Sequence, residues 1–347
     1  MNLPESKFVK YKKFSVSDGT IINDLLIAYQ TWGKLNQKKD NAILICHGYT
    51  NHHFACDKNI GWFNNLMGSG KGIDTDKYFV ICSNMLGSSF GTTGPKSINP
   101  KTKSPYGSDF PKIKNIDIIN VQKILIENLG INQLHTILGY SFGGHLVYLW
   151  ATEFPDMIKK VVSVAGALDR WDVSKEKIEF LEKSFTDCKG WNNGHFYSSD
   201  SSEVIDALIN YRIKVLNHYG FADYLLDLNH SLEVVQTIIL KAAKGWAGHF
   251  DPNSLIILRR ANIGSSAKYK AFKIKVPILK VLAKTDKVTS MEEGYSTIKY
   301  LKSLNIDCDL IELKTKFGHY GPMSDYNEWS NQLKDFLENK KPHLLSI

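Results

Sequence analysis

A serine stands between glycines in the stretch GYSFGG, which directly follows a short apolar run. Residues 134–138 are typical of a buried strand, and the residues after the glycines repeat apolar side chains at helical spacing until Pro155. Ser141 is therefore predicted on a sharp strand-to-helix turn, where Gly139 and Gly143 leave the necessary room. Such a turn, a nucleophile elbow, presents a serine hydroxyl for attack on a carbonyl carbon. The alternative is a glycine–serine turn without chemistry.

A serine hydroxyl needs a base to take its proton and a third group to orient that base. Asp286 ends the apolar run PILKVLAKTD, and His319 lies in the loop KTKFGHYGP after the run CDLIEL. The order serine, aspartate, histidine is the one that elbow enzymes use. We predict His319 as the base and Asp286 as its orienting acid. His52 and His53 are competing bases, and Asp325 is a competing acid whose position favours the N-cap of the last helix.

The oxyanion of an acyl-transfer intermediate needs backbone N–H donors. Phe142, the residue after the serine, is predicted to supply one. The second is expected from the loop after the first buried strand, in the stretch CHGYTNHH, where Tyr49 or Thr50 would offer it.

The elements that must position these residues alternate along the chain. Residues 8–33 are typical of a hairpin. The runs NAILICHG and KYFVICSN are typical of strands buried on both faces, and IDIINVQKILIENLG is typical of an amphipathic helix. This alternation predicts an α/β fold with a mostly parallel, doubly wound sheet. Between 168 and 271 helical, charged segments dominate, which predicts a helical lid subdomain inserted into a core domain of 1–167 and 272–347.

Composition narrows the class of protein. The formal charge of +8 is spread along the chain, which favours a solvated surface over nucleic-acid binding. The N-terminus lacks the apolar region of a signal peptide, and no apolar run approaches the ~18 residues of a membrane span. The five scattered cysteines are typical of reduced thiols in a cytoplasmic protein, and none has metal-site spacing.

Several longer stretches carry a family resemblance: DTDKYFVICSNMLGSSFGTTGPKSINPKTKSPYGSDFP leading into GYSFGG, then DCKGWNNGHFY, FDPNSLIILRRA and FGHYGPMSD. Over nearly its whole length the chain resembles the homoserine O-acetyltransferase family, within the α/β-hydrolase fold. The resemblance implies double displacement, in which the acyl group of acetyl-CoA passes through Ser141 to the hydroxyl of an amino acid. It also implies a cytoplasmic homodimer of methionine biosynthesis that acts on small molecules, with acetyl-CoA as a substrate, no bound cofactor or metal, and neither a nucleic-acid nor a membrane partner.

The resemblance also suggests substrate contacts on a lid helix. The stretch YRIKVLNHY places Arg212 and Tyr219 seven residues apart, on one side of that helix. Arg212 would bind the carboxylate of the substrate. Two positions depart from the family: Tyr140 replaces the glycine usual before the serine, and Tyr320 replaces the aspartate that receives the substrate ammonium. The acceptor is therefore left open between homoserine, another alcohol and water, the last making the chain an ester or thioester hydrolase. The donor is left open between acetyl and succinyl.

Overall fold

The computed structural model describes residues 3–169, 174–198 and 200–340. Within these ranges the chain forms strands of 2 to 12 residues. They are β1 (Lys7–Ser15), β2 (Ile21–Trp32), β3 (Ala42–Cys46), β4 (Met67–Gly68), β5 (Ile73–Asp74), β6 (Phe79–Ser83), β7 (Thr136–Tyr140), β8 (Val161–Val164), β9 (Ile278–Ala283) and β10 (Cys308–Leu313). The α-helices are α1 (Asn115–Asn128), α2 (Phe142–Glu153), α3 (Lys175–Thr186), α4 (Ser202–His218), α5 (Phe221–Asp227), α6 (Leu232–Ala247), α7 (Pro252–Ala261), α8 (Met291–Ser303), α9 (Gly321–Ser324) and α10 (Ser330–Leu337).

Eight of these strands form one sheet, in the order β1-β2-β6-β3-β7-β8-β9-β10. The pairs from β6 to β10 are parallel, whereas β2 runs antiparallel to β6. Every residue of β3, β7, β8 and β9 is buried, as expected of parallel strands that are covered on both faces. The predicted mostly parallel sheet is confirmed.

The carboxyl ends of the parallel strands share one edge of the sheet. Cys46 at the end of β3 is in register with Gly139 of β7, and Tyr140 is in register with Val164 of β8. Loops that follow these strands therefore begin close together, which is where open α/β sheets build their sites.

The chain divides into two compact units. The first contains Met1–Ala28, Asn84–Gln122 and Arg170–Ser265, and the second contains Tyr29–Ser83, Lys123–Asp169 and Ser266–Ile347. The predicted insertion, 168–271, overlaps the last segment of the first unit. That unit also includes the two earlier segments, Met1–Ala28 and Asn84–Gln122, which were predicted to belong to the core domain. The proposed domain boundaries stay a prediction.

Each unit has its own apolar cluster. In the first unit, α4, α5 and α6 pack together around Leu225, Val235 and Ile239. In the second, the parallel strands pack against the segment around Phe63 and against Trp329 beside α10. Both clusters are contiguous sets of buried apolar side chains, the usual source of folding free energy.

The end of the chain corrects one expectation. The last helix was predicted to begin after Asp325 as its N-cap, but α10 begins at Ser330 with Trp329 at the N-cap position. Asp325 instead lies between α9 and a 3-10 turn, Tyr326–Glu328, and makes no side-chain cap hydrogen bond there. The helix starts later because its buried face, Leu333, Phe336 and Leu337, is set by packing on the core rather than by the cap residue.

Candidate active site

The serine of the GYSFGG stretch occupies a strained turn between β7 and α2. Ser141 has a φ of 57° and a ψ of −116°, which a residue with a side chain adopts only at some cost. A Cβ on Gly139 would collide with the carbonyl of Gly143, and a Cβ on Gly143 would collide with that of Cys46. The two glycines are therefore required by close backbone approach, as predicted, and the strand-to-helix turn is confirmed.

His319 joins Ser141 to Asp286. Its Nε2 lies 2.8 Å from the Ser141 Oγ, and its Nδ1 lies 2.8 Å from an Asp286 carboxylate oxygen. A carboxylate only accepts hydrogen bonds, so the Nδ1 carries the proton and the Nε2 accepts from the serine hydroxyl. All three side chains are buried. This arrangement can take a proton from a serine hydroxyl and stabilise the imidazolium that results.

The Asp286 carboxylate is oriented by the chain that follows it. One oxygen accepts from the backbone N–H groups of Val288, at 2.7 Å, and Thr289, at 3.2 Å. The other oxygen is left to accept from His319. Because Asp286 begins a short turn three residues after β9, the sheet fixes where this turn starts and the turn fixes which oxygen meets the imidazole.

The loop that carries His319 is held on both sides of the histidine. The N–H of Gly318 donates to the Thr285 Oγ1 at 3.0 Å, and the hydroxyl of Thr285 donates to the Thr315 carbonyl at 2.9 Å. On the other side, the Tyr140 hydroxyl donates to the backbone oxygen of His319 at 2.7 Å. The sequence analysis did not predict this role for Tyr140 or Thr285, although they are adjacent in the chain to Ser141 and Asp286, which it did single out.

The predicted oxyanion donors lie in neighbouring segments. Phe142 is the first residue of α2, and its ring stacks on that of Tyr49 with centroids 6.0 Å apart. Thr50 follows Tyr49 in the buried loop after β3. The stacked rings join the start of α2 to the loop after β3, while the assignment of the backbone N–H groups as oxyanion donors stays a prediction.

The competing histidines lie in a different environment. His53 is fully buried, and that burial, with a smaller contribution from His47 and His52, lowers its pKa to about 2. The backbone oxygen of His52 accepts from the Trp62 indole at 2.8 Å. The ring that contacts both Ser141 and Asp286 belongs to His319, the base that we preferred on sequence grounds.

The predicted substrate-contact residues are distributed over both units. In the first unit, Arg212 lies on α4 with its guanidinium 5.1 Å from the ring of Trp246, within cation–π range, and Tyr219 is the C-cap residue of the same helix. In the second unit, Tyr320 follows His319 and packs against the apolar cluster there. Their contacts with substrate stay predictions.

A buried charge lies beside the elbow. Lys280 of β9 is fully buried, and its ammonium donates to the carbonyl of Gly166 and lies 3.1 Å from Glu293. Burial lowers the pKa of Lys280, which Glu293 partly offsets. A Cβ on Gly166 would collide with Gly144 in the first turn of α2, so this ion pair supports the segment against which the elbow helix rests.

The described residues add neither a metal site nor a membrane-spanning helix. No cluster of three or more histidine, cysteine or acidic side chains in these ranges could hold a metal ion. In the same ranges, no helix is long and apolar enough to cross a membrane.

Comparisons with known proteins agree with this geometry. Residues 41–188 match the model of the alpha/beta hydrolase fold. The chain is 31% identical to the homoserine O-acetyltransferase of Pasteurella multocida (strain Pm70), over 98% of this chain and 100% of that protein. The predicted α/β-hydrolase fold is thereby confirmed.

Two solved structures are similar over most of the chain. Esterase E22 superposes with a TM-score of 0.85 at 28% identity, covering 96% of this chain and 99% of that one. The homoserine O-acetyltransferase of Bacillus anthracis superposes with a TM-score of 0.82 at 25% identity, covering 99% and 100%. One scaffold is thus similar both to a protein named as an esterase and to one named as an acetyltransferase.

Proposed function

This chain belongs to the homoserine O-acetyltransferase family, and from that premise we propose that it transfers an acyl group from acetyl-CoA to the hydroxyl of L-homoserine through an acyl-Ser141 intermediate. The observation that carries the proposal is the contact of His319 with both Ser141 and Asp286, at 2.8 Å each, in a chain that aligns with an acetyltransferase over 98% of its length. Ser141, His319 and Asp286 form the proposed catalytic triad.

The first half-reaction acylates the serine. The Ser141 oxygen attacks the thioester carbonyl carbon while its proton moves to the Nε2 of His319. The oxyanion of the tetrahedral intermediate accepts from the backbone N–H of Phe142 and from that of Tyr49 or Thr50. The carbon–sulfur bond then breaks, and the imidazolium returns its proton to the sulfur, which leaves as free CoA.

The second half-reaction repeats these steps with a different nucleophile. The acceptor hydroxyl attacks the acyl-serine carbonyl carbon and gives its proton to His319. The bond to the Ser141 oxygen breaks, the imidazolium returns the proton to that oxygen, and the O-acyl product leaves. Asp286 accepts from the Nδ1–H throughout and stabilises the imidazolium without taking the proton.

The acceptor must outcompete water for the acyl-enzyme, which requires both of its charged ends to be fixed. We propose that Arg212 binds the carboxylate of homoserine and that Tyr219 contributes to the same contact, as the family resemblance implies. The ammonium would meet Tyr320, which offers a neutral oxygen or a ring face. Homoserine should therefore bind weakly, and part of the acyl-enzyme should be lost to water.

Hydrolysis of an ester or thioester is the second candidate, and Tyr320 together with the likeness to esterase E22 favours it. The two functions share the acyl-enzyme and differ only in its acceptor. The similarity to the Pasteurella acetyltransferase over nearly the full length of both chains favours transfer.

One assay separates these candidates. The purified chain is mixed with acetyl-CoA, or in a parallel series with succinyl-CoA, with and without L-homoserine, and free CoA, O-acyl-homoserine and free acid are quantified. Transfer predicts that homoserine accelerates CoA release and that O-acyl-homoserine accounts for most of it. Release that is independent of homoserine and yields only free acid would establish the hydrolase. The Ser141→Ala variant serves as the control in every series.

A further inference from the structure

Tyr140, the residue between Gly139 and the proposed nucleophile, connects the elbow to the loop of the base. Its side chain is buried, and its hydroxyl donates to the backbone oxygen of His319 at 2.7 Å. Its ring lies beside the imidazole, with centroids 5.3 Å apart and planes inclined by 34°. One side chain therefore contacts both the backbone and the ring of His319.

The Tyr140 ring also lies close to the predicted oxyanion loop. A Cβ built on Gly48 would lie 3.3 Å from the ring carbon Cδ1, so the glycine is what allows this loop to approach the ring closely. Trp62 lies 6.1 Å away, centroid to centroid, and donates its indole N–H to the backbone of His52. The ring thus lies close both to the loop that contains Tyr49 and to the loop of the base.

The position of His319 needs such support because its segment is short. It lies in the 3-10 turn Gly318–Tyr320, after a six-residue strand. Thr285 holds the N–H of Gly318 on one side of the histidine, and Tyr140 holds the carbonyl of His319 on the other. Catalytic side chains must stay within about 0.5 Å of their productive geometry. Hydrogen bonds to the backbone are a direct means of achieving this, and the bond from Tyr140 is buried.

We propose that Tyr140 is a positioning residue for acyl transfer: its hydroxyl fixes the backbone of His319, and its ring sets the distance between the oxyanion loop and the base. The inference rests on the proposed function of the triad. A phenylalanine would fill the same volume, but of the side chains with this shape only tyrosine carries the hydroxyl donor. Tyr140 thus acts through His319.

The test compares Tyr140→Phe with Tyr300→Phe. Tyr300 also donates its hydroxyl to a backbone oxygen, that of Lys268 at 3.2 Å, so the control removes the same kind of bond elsewhere. Tyr140→Phe should lower kcat/KM for CoA release roughly three- to tenfold, the range of one neutral hydrogen bond, through kcat rather than KM. Tyr300→Phe should leave both constants unchanged.

A spectroscopic measurement separates positioning from general destabilisation. The Nδ1 proton shared by His319 and Asp286 should give a far-downfield proton resonance, identified by its loss in His319→Ala. In Tyr140→Phe this resonance should shift and broaden at a temperature at which the variant is fully folded by circular dichroism. In Tyr300→Phe it should be unchanged.

Gly48→Ala tests the same connection from the other side. The new methyl group presses on the Tyr140 ring. If the ring passes this displacement to His319 through its hydroxyl, Gly48→Ala should lower kcat less in the Tyr140→Phe background than in the unmodified chain. The double variant should therefore lose less than the product of the two single losses.

Two results would overturn the inference. One is a double variant whose loss in kcat equals the product of the two single losses, and the other is unchanged kinetics with an unchanged resonance in Tyr140→Phe. Either result would leave the proposed function intact, provided that Ser141→Ala is inactive. Activity in Ser141→Ala would remove the proposed function and, with it, the role assigned to Tyr140.

Discussion

Replacing Asp286 by asparagine changes one atom type in a carboxylate whose two oxygens have different partners. One oxygen accepts from two backbone N–H groups, those of Val288 and Thr289, and the other accepts from the Nδ1–H of His319. In Asp286→Asn the amide oxygen should keep the first position, because turning the amide over would leave the N–H groups of half-buried Val288 and buried Thr289 facing an NH₂. For the buried group this costs about 1–3 kcal/mol. The NH₂ group must then face the imidazole.

That orientation selects the unproductive tautomer of His319. An NH₂ group can only donate, so the Nδ1 must accept and the proton must lie on the Nε2, which can then no longer accept the proton of Ser141. A change of this kind lowers kcat by about 10⁴-fold where a triad operates, which corresponds to about 5.4 kcal/mol of transition-state stabilisation.

The assay is the steady-state rate of CoA release, with the melting temperature of each variant measured alongside it. Asp325→Asn is the matched control, because Asp325 is a half-buried aspartate that the sequence offered as an alternative acid. The Asp325→Asn variant should release CoA at the rate of the unmodified chain. A loss below tenfold in Asp286→Asn, alongside a loss of several powers of ten in His319→Ala, would show that Asp286 does not orient the base.

Three further predictions concern the acceptor, acid stability and assembly. Tyr320→Asp should raise the ratio of O-acetylhomoserine to free acetate about tenfold over Tyr320→Asn, because a charged partner for the ammonium contributes about 1.4 kcal/mol more than a neutral one. The unfolded chain binds a proton at His53 near pH 6.5, whereas the folded chain keeps His53 neutral down to about pH 2. The free energy of unfolding should therefore fall on acidification below about pH 6.5, by up to about 1.4 kcal/mol per pH unit, and His53→Phe should remove that contribution. Light scattering should give the mass of a homodimer at micromolar concentration, since α5, α6 and the turn between them expose Leu228 and Leu232, the latter to 63%.

Each of these predictions has an outcome that contradicts it. Tight, fully coupled transfer by the unmodified chain would show that another acidic side chain binds the ammonium. An unfolding free energy with the same pH slope in His53→Phe would show that this histidine does not contribute to acid sensitivity. A monomeric mass would refute the dimer and leave the triad untouched.

The catalytic candidates could be located from sequence because local patterns mark them. The glycines around Ser141 reflect backbone collisions that any such turn must avoid, and Asp286 and His319 follow apolar runs that the sheet aligns at one edge. The mostly parallel sheet follows from the burial of its strands on both faces.

Contacts between distant segments could not be predicted in this way. The bond from the Tyr140 hydroxyl to His319 joins residues 179 positions apart, and no periodicity encodes it. Lys280 lies inside an otherwise apolar strand, and its burial is understandable only once Glu293 and Gly166 are seen beside it. The division into units depends on which segments pack together. The change in composition near residue 168 marks the helical segment of the first unit but not the two earlier segments that belong to the same unit.

The claim that the acyl group passes through Ser141 is tested most directly by trapping the intermediate. The chain is mixed with acetyl-CoA without an acceptor, quenched in acid after successive intervals, and analysed by intact mass and peptide mapping. The account predicts one added acetyl group, on the peptide that contains Ser141, which forms at least as fast as steady-state turnover and is lost on addition of homoserine as O-acetylhomoserine appears. An acetyl group on any other residue that forms and disappears at these rates, or full turnover by Ser141→Ala, would contradict it.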